Sequence, residues 1–495
     1  MAVASIGRII GSLAEQQPDQ PAITCEKQTV TWLELEKRTN RLARAYQQLG
    51  VKQDDLVTIA LPNGIEFYES AIAVWKLGAT PHPISARLPQ LERETLVDLA
   101  DAKLVVGVAP GSLGARVTLP PGFDPDPSLS DTPLPDRTAR YWKASCSGGS
   151  TGRPKIIVSK EQGAFDMEAE EEFAQILPRR VHLVPGPLYH NAPFLFSMFA
   201  LFMGNHLVVL ERFDAVHTLE CIERYRVDYV VLVPTMMHRI WRLDANMRER
   251  HDLSSLRIVL HMAAPCPRWL KQLWLDWLGP ERIHELYGGT EAQSATWITG
   301  TEWLAHTGSV GKAMLGQVKV VDENGDELPP GAVGEIYLMP EAGPGTTYHY
   351  IGAEPRSMDG WESLGDMGWM DADGYLYLAD RKSDMILRGG ANIYPAEVEA
   401  AIDSHPKVRS SVVIGVPDED LGQRVHAIVD APEGVTDNEL LLHLSERIAR
   451  YKIPESFEHV SEPLRDDAGK VRRPQLRTQR TGTVVTERHA TKRAD

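Results

Sequence analysis

Apolar positions along this chain gather in short runs separated by amphipathic stretches, and the alternation sets the expected architecture. Thr31 and Glu34 have the spacing of a capping box, Leu35, Leu42, Tyr46 and Leu49 fall on related faces of the helix that follows, and Gly50 stops it. Residues 56–61 read as a strand, Asn63-Gly64 as a turn, and residues 65–77 as a helix closed by Gly78, which together make one βα unit. The pattern recurs with a strand over 206–210, a helix over 215–225, and strands over 229–233 and 257–261 ahead of a helix near Trp269. Strands alternating with helices imply parallel sheets covered on both faces. Residues 109–137, rich in Pro, Gly, Asp and Ser, read as an irregular connection. Beyond Asp380 the texture changes to a short helix over 397–402, strands over 408–416 and 425–429, and a helix over 438–449. That pattern describes a small α+β domain. From Thr481 onward the chain is polar and aperiodic, so residues 481–495 are expected to be a disordered tail. There is no internal repeat.

Composition narrows the function classes. A chain of 495 residues with 43% apolar and 24% charged residues is a globular protein longer than one ordinary domain. A formal charge of −16 argues against a nucleic-acid binder, because neutralising phosphates needs a basic face. It does not forbid a local phosphate cradle built from backbone N–H groups. Four cysteines without CxxC spacing point to neither a disulfide framework nor a zinc site, so a reducing cytoplasm is the expected location. The most apolar window, 193–210, is broken by Gly204-Asn205-His206 and falls short of the ~20 residues that span a bilayer. A buried helix followed by a strand is expected there, and no membrane span.

The first chemical signal is the segment Ser145-Cys-Ser-Gly-Gly-Ser-Thr-Gly-Arg-Pro-Lys155. Its small residues, Ser147, Gly148, Gly149, Ser150, Thr151 and Gly152, let backbone N–H groups approach phosphate oxygens, and the hydroxyls add donors. Lys155 supplies a point charge. Arg153 and Pro154 separate the last glycine from the lysine, so this is not the GxxxxGK[ST] loop. Read alone, the segment also fits a Gly/Ser-rich surface loop.

SGGSTGRPK resembles the Ser/Thr/Gly-rich signature of the acyl-adenylate-forming superfamily, which holds acyl-CoA synthetases, adenylation domains and luciferases. Further motifs follow in that superfamily's order over residues 20–475. Pro187-Leu-Tyr-His-Asn-Ala-Pro193 is similar to the segment beside the acyl pocket, which implies that His190 gates or lines the path between adenylate and thiol, next to Asn191. Met262-Ala263-Ala264-Pro265 stands where the family has a Gly-rich wall of the adenine slot; the usual glycine is missing, but Ala263 and Ala264 are small enough to let the base lie close. Tyr287-Gly288-Gly-Thr290-Glu291 looks like Tyr-Gly-x-Thr-Glu, in which the ring stacks on adenine, the threonine bonds the α-phosphate and the carboxylate holds Mg²⁺. Ser363-Leu-Gly-Asp366 matches the ribose motif. A carboxylate suits that task because it accepts two hydrogen bonds and offers no competing donor.

The run from Asp380 to Glu399 resembles the junction between two domains. It implies Arg381 on the ribose, a hinge at Ser383 where relatives carry Asp or Lys, and a Gly389-Gly390 loop along the pantetheine tunnel. Gly469-Lys470 resembles the C-terminal loop whose lysine bridges carboxylate and α-phosphate.

The resemblance therefore implies an α/β fold with a large N-terminal domain over 1–381, of mixed and parallel sheets sandwiched by helices. A small mobile α+β lid is implied over 382–480. The implied reaction is ATP- and Mg²⁺-dependent activation of a carboxylic acid, then transfer to coenzyme A. Catalysis is assigned to Lys470, Glu291, Thr290 and His190, with Glu291 as metal ligand. The acid pocket is assigned to His190, Asn191, Phe194, Met262 and Gly288, with Phe194, Met198 and Met262 as its apolar wall. An apolar wall of this kind suits fatty, bile or aryl and cinnamate-like acids, and the resemblance admits a homodimer. A carrier protein, or nitrite in an N–N bond-forming relative, remains open as the acceptor. A catalytically silent nucleotide-binding protein is disfavoured by the joint retention of Glu291, Asp366 and Lys470. A luciferase-like oxygenase has no specific cue.

Overall fold

The computed structural model describes residues 3–147, 154–418, 420–466 and 469–480. Local sequence signals explain where many elements begin and end. The Thr31 side chain accepts from the Glu34 N–H while the Glu34 carboxylate accepts from the Thr31 N–H, and the helix Trp32–Gln48 starts there. Leu49 follows the last helical residue and is exposed, so it leaves the face it was expected to share. The helix Ala215–Tyr225 opens on Asp214, whose carboxylate accepts the His217 N–H at 2.9 Å, and closes on Arg226 in the left-handed region.

Six strands pair in parallel to form the centre of the largest sheet, in the order Ile283–Gly288, Ile258–His261, Tyr229–Leu232, Val181–Val184, His206–Val209 and Pro21–Cys25. Antiparallel strands extend it at both edges. Gln28–Thr31 closes one side, and Ala295–Thr299, Ser309–Leu315, Leu376–Arg381, Asp366–Met370 and Gly334–Met339 continue the other. The sheet is therefore mixed. A second, parallel sheet holds Thr80–Pro83, Leu56–Ile59, Leu104–Val106 and Thr118–Leu119. A third pairs Tyr348–Ile351 with Lys155–Ser159 and Ala144–Ser147.

The apolar helix Asn191–Phe202 lies in the core between these sheets and leads into the strand His206–Val209. No helix among the described residues is long and apolar enough to cross a membrane. The irregular connection is fastened down by side chains, including Arg41 to Asp131 at 2.8 Å and the Arg44 guanidinium to the Thr132 carbonyl at 2.8 Å.

The chain leaves the large sheet at Arg381 and enters a separate small sheet at Ile386. That sheet pairs Ile386–Arg388 with Ala391–Ile393, a long hairpin of Ser410–Asp418 and Gly422–Asp430, and Ser456–Val460. The helices Pro395–Asp403 and Asp437–Ser445 cover it over a core of Val398, Ile402, Val413, Val425, Leu440 and Leu444. The second helix stops at Ser445, short of Ala449, and a 3₁₀ turn at Arg450–Lys452 follows. Residues 481–495 lie outside the described residues.

Candidate active site

The cleft between body and lid collects side chains from five separate parts of the sequence. Parallel strands deliver two of its walls. The strand Ile258–His261 ends in Met262-Ala263-Ala264-Pro265, where Met262 is buried and Ala263 has φ 73°. An L-residue in that left-handed region costs about 1–2 kcal/mol, a strain found preferentially at functional sites. The neighbouring strand Ile283–Gly288 ends at Tyr287 and the exposed Gly288, and Ala292 just beyond Glu291 has φ 55°. Half-buried Thr290 stands between these two features.

Two carboxylates define the cleft. Asp366, at the start of Asp366–Met370, accepts the Tyr287 hydroxyl at 2.9 Å on one oxygen and Arg381 Nε at 3.2 Å on the other. Burial, then the Asp366 charge, pushes the Tyr287 phenol well above its usual range, so it stays a neutral donor. Glu291 is 6% exposed and accepts the Tyr350 hydroxyl at 2.6 Å on Oε1. Lys155 Nζ sits 3.5 Å from the same oxygen and 3.9 Å from the centre of the Tyr350 ring. The antiparallel pairing of Lys155–Ser159 with Tyr348–Ile351 brings that lysine and tyrosine together.

The hard oxygen donors here fit Mg²⁺. One carboxylate, completed by phosphate oxygens and water, is the usual protein contribution to such an ion. Glu291 would hold it, and the neighbouring Lys155 leaves room for further negative charge.

The lid supplies a lysine. Lys470 stands accessible within the cleft, and its backbone N–H donates to Asp466 Oδ1 at 2.8 Å. Surrounding protein lowers its pKa, Arg381 adds to the lowering, and Asp466 and Glu291 oppose it. The loop packs tightly on the body. Gly469 has φ 75°, and a Cβ there would lie 2.7 Å from Thr235 Oγ1. His190 occupies the N-cap position of the helix Asn191–Phe202 without a side-chain capping bond, and its Nε2 lies 3.8 Å from Asp466 Oδ2 without a hydrogen bond. Burial, then the Lys470 charge, lowers its pKa to about 3, so the imidazole is neutral at physiological pH.

Other candidates lie elsewhere. Asn191 Oδ1 accepts from the buried Lys143 ammonium. Phe194 packs in the core against Phe67, Trp75 and Trp142, with ring centroids 5.9–6.1 Å apart, and Met198 is fully buried. Gly389 and Gly390 form an exposed turn with positive φ between two lid strands, away from this cluster. Ser147 ends a strand, and Gly148, Gly149, Ser150, Thr151 and Gly152 lie outside the described residues.

Sequence reasoning missed Tyr350, Thr235 and Arg473. Arg473 pairs with Asp384 at 3.1 Å and Glu399 at 2.6 Å, just past the body–lid crossing. Ser383, at the expected hinge, is exposed beside Asp384.

A large layered α/β body followed by a small α+β domain has the build of an adenylate-forming enzyme. The chain belongs to the AMP-binding enzyme family, which it matches over residues 12–141 and 145–351, with the family's C-terminal domain over 397–470. It is 32% identical to a feruloyl-CoA synthase of Amycolatopsis sp, over 94% of this chain and 96% of that one. It is 29% identical to a fatty acid–[acyl-carrier-protein] ligase of Streptomyces coeruleorubidus, over 94% of each chain. Its fold superposes on an o-succinylbenzoate CoA synthetase of Bacillus subtilis, solved with its acyl-adenylate intermediate, with TM-score 0.81 and 25% identity. That match covers 96% of this chain and 98% of the other.

Proposed function

We propose that this AMP-forming ligase makes its acyl-adenylate in the cleft between body and lid, with Lys470 as the charge that joins the two anions, and delivers the acyl group to coenzyme A. The observation that carries this reading is the convergence of Lys470, Glu291, Asp366 and Arg381 on one cleft from distant parts of the chain. Asp366 and Arg381 hold the ribose. Tyr287 stacks on adenine between Asp366 and the Ala263-Ala264 wall, and Thr290 donates to the α-phosphate. Glu291 would hold a Mg²⁺ ion, which when bound would supply charge neutralisation at the phosphates. Lys155 adds a second cation on that side.

The carboxylate then attacks the α-phosphorus, the Pα–O bond to pyrophosphate breaks, and the electron pair leaves with pyrophosphate. Little covalent work falls to the protein, so positioning and charge stabilisation dominate. In the second step the thiol sulfur attacks the acyl carbonyl and AMP leaves. Neutral His190 has a buried Nε2 with no hydrogen-bond partner, which supports a role as acceptor for the incoming nucleophile once the lid turns.

The acid is apolar in its body, in keeping with buried Met262 at the end of the strand Ile258–His261. An aryl or cinnamate-like acid is favoured by the relative that makes feruloyl-CoA. A carrier-protein thiol is the second reading for the acceptor, because another relative of equal coverage is a carrier-protein ligase. A reducing cytoplasm suits four cysteines that are all free thiols. Pyrophosphate release over a panel of aryl, fatty and bile acids, with and without coenzyme A, tests the reading. Acid-dependent release with thioester formed only when coenzyme A is present is expected. Release without thioester would move the acceptor to a carrier protein, and no release with any acid would sink the proposal.

A further inference from the structure

The lid meets the body at a second place, outside the nucleotide cleft. The last turn of the lid helix Pro395–Asp403 and the connection that follows it, up to the strand Ser410–Asp418, lie against two donors that belong to the body. Trp269 donates its indole N–H to the Ala400 carbonyl at 3.2 Å. Arg242, at the C-cap of the body helix Pro234–Trp241, donates Nη2 to the Pro406 carbonyl at 2.5 Å and Nη1 to the Val408 carbonyl. His238 packs edge-on against the Trp269 ring at 5.3 Å, and burial, then Arg242 and Arg239, lowers its pKa to about 4. That imidazole is therefore a neutral prop for Trp269.

The chemistry of this contact is directional. The last turn of a helix presents carbonyls with no intrahelical partner and a partial negative charge. Ala400, the acceptor of Trp269, is in that last turn, while Arg242 bonds two carbonyls of the connection beyond it, which a planar guanidinium with several N–H groups can reach at once. All the acceptors ride on the lid, and both donors are fixed to the body. Residues 382–385 are the crossing between the two sheets, so a turn of the lid about that crossing carries Ala400, Pro406 and Val408 away from Trp269 and Arg242. Among the described residues, neither donor side chain hydrogen-bonds to Asp366, Glu291, Arg381 or Lys470.

We propose that Arg242, supported by Trp269, is a positioning residue for the first half-reaction: it latches the lid in the orientation that brings Lys470 into the cleft. The inference rests on the reading that the lid turns between adenylate formation and thiol attack. The latch acts on the orientation that makes adenylate and has no part in the other. Removing it shifts the lid equilibrium by about tenfold, the worth of one charge-assisted hydrogen bond at an accessible site.

The test measures both half-reactions and the lid position in the full-length enzyme carrying Arg242→Ala, Arg242→Lys or Trp269→Phe. Fluorophores on cysteines placed at exposed Leu304 of the body and Leu442 of the lid report the orientation without any turnover. Arg242→Ala is expected to slow pyrophosphate release by up to about tenfold while supplied acyl-adenylate and coenzyme A react at the wild-type rate or faster. The inter-label distance should move away from that of the wild type, with Arg242→Lys restoring part of each effect. Equal slowing of both half-reactions would mean the residue is merely structural and would overturn the latch. So would unchanged rates with an unchanged distance. Should Arg242→Ala not fold, Arg242→Lys and Trp269→Phe decide by the same readouts. If the wild type releases no pyrophosphate with any acid, the functional reading fails, and the label distance alone still decides the latch.

Discussion

Asp366→Asn separates nucleotide recognition from folding. The carboxylate offers about four acceptor sites. The Tyr287 hydroxyl and Arg381 Nε occupy two, one on each oxygen, which leaves two for a pair of ribose hydroxyls. Asparagine keeps one acceptor oxygen for Tyr287, removes the charge, and turns an N–H₂ toward the donors that remain. Folding should suffer little, because the Arg381 side chain is 53% exposed and a pair so open to water contributes only ~0–1 kcal/mol. The melting temperature should then fall by no more than about 3 °C. Binding loses a charge-assisted hydrogen bond to ribose, worth roughly 1.5–3 kcal/mol, so the Kd for Mg·ATP should rise about tenfold to a hundredfold. Titration calorimetry with Mg·ATP in the absence of acid, beside a thermal melt, reads both quantities. An ATP affinity within twofold of wild type, with an intact fold, would refute the placement of Asp366 on the ribose.

Three further outcomes are expected. Tyr350→Phe removes the phenol that orients Glu291, and loss of such a supporting bond should raise the Mg²⁺ concentration for half-maximal pyrophosphate release by about tenfold. Gly390→Leu should spare adenylate formation and block thioester formation in separate half-reaction assays, since in this lid orientation a Cβ at Gly390 meets nothing within 4 Å. The pH profile of adenylate formation should lose activity as pH rises through a pKa below the 10.5 of an ordinary lysine, because the protonated Lys470 is the active form. Lys470→Arg should abolish that alkaline limb, while His190, with its pKa near 3, adds no acidic limb above pH ~5.

Much of this arrangement was legible in the sequence wherever the signal was local. The Thr31–Glu34 capping box, the strand and helix that end at Val209 and begin at Ala215, and the change of texture after Asp380 follow from spacing and periodicity alone. The residues that meet in the cleft were found as motifs, not as neighbours. Tyr350 shows why. The alternation in Tyr348–Ile351 marks a strand, but its partner lies almost two hundred residues earlier, and only the pairing of Tyr350 with Ile157 sets it over Lys155. Phe194 shows the opposite failure. It sits one helical turn past His190, yet its ring is fully buried and packs into the Trp75–Trp142 cluster, because apolar spacing alone does not distinguish a core position from a pocket wall. The antiparallel flank of the large sheet escaped notice because its pairings skip along the chain, as in Ser309–Leu315 beside Leu376–Arg381.

Lys470 is the residue on which adenylate formation depends most, and one variant addresses it directly. In the cleft the acid carboxylate and the α-phosphate are two anions pressed together, and their repulsion peaks as the new bond forms. The ammonium of Lys470, held there by the lid, offsets that repulsion. Loss of one preorganised donor of this kind costs on the order of 10²–10³ in rate. Rapid-quench measurement of pyrophosphate release by folded Lys470→Ala should therefore show a fall of that size, while supplied acyl-adenylate is still converted with coenzyme A at near the wild-type rate. Adenylate formation by Lys470→Ala at close to the wild-type rate would contradict the account.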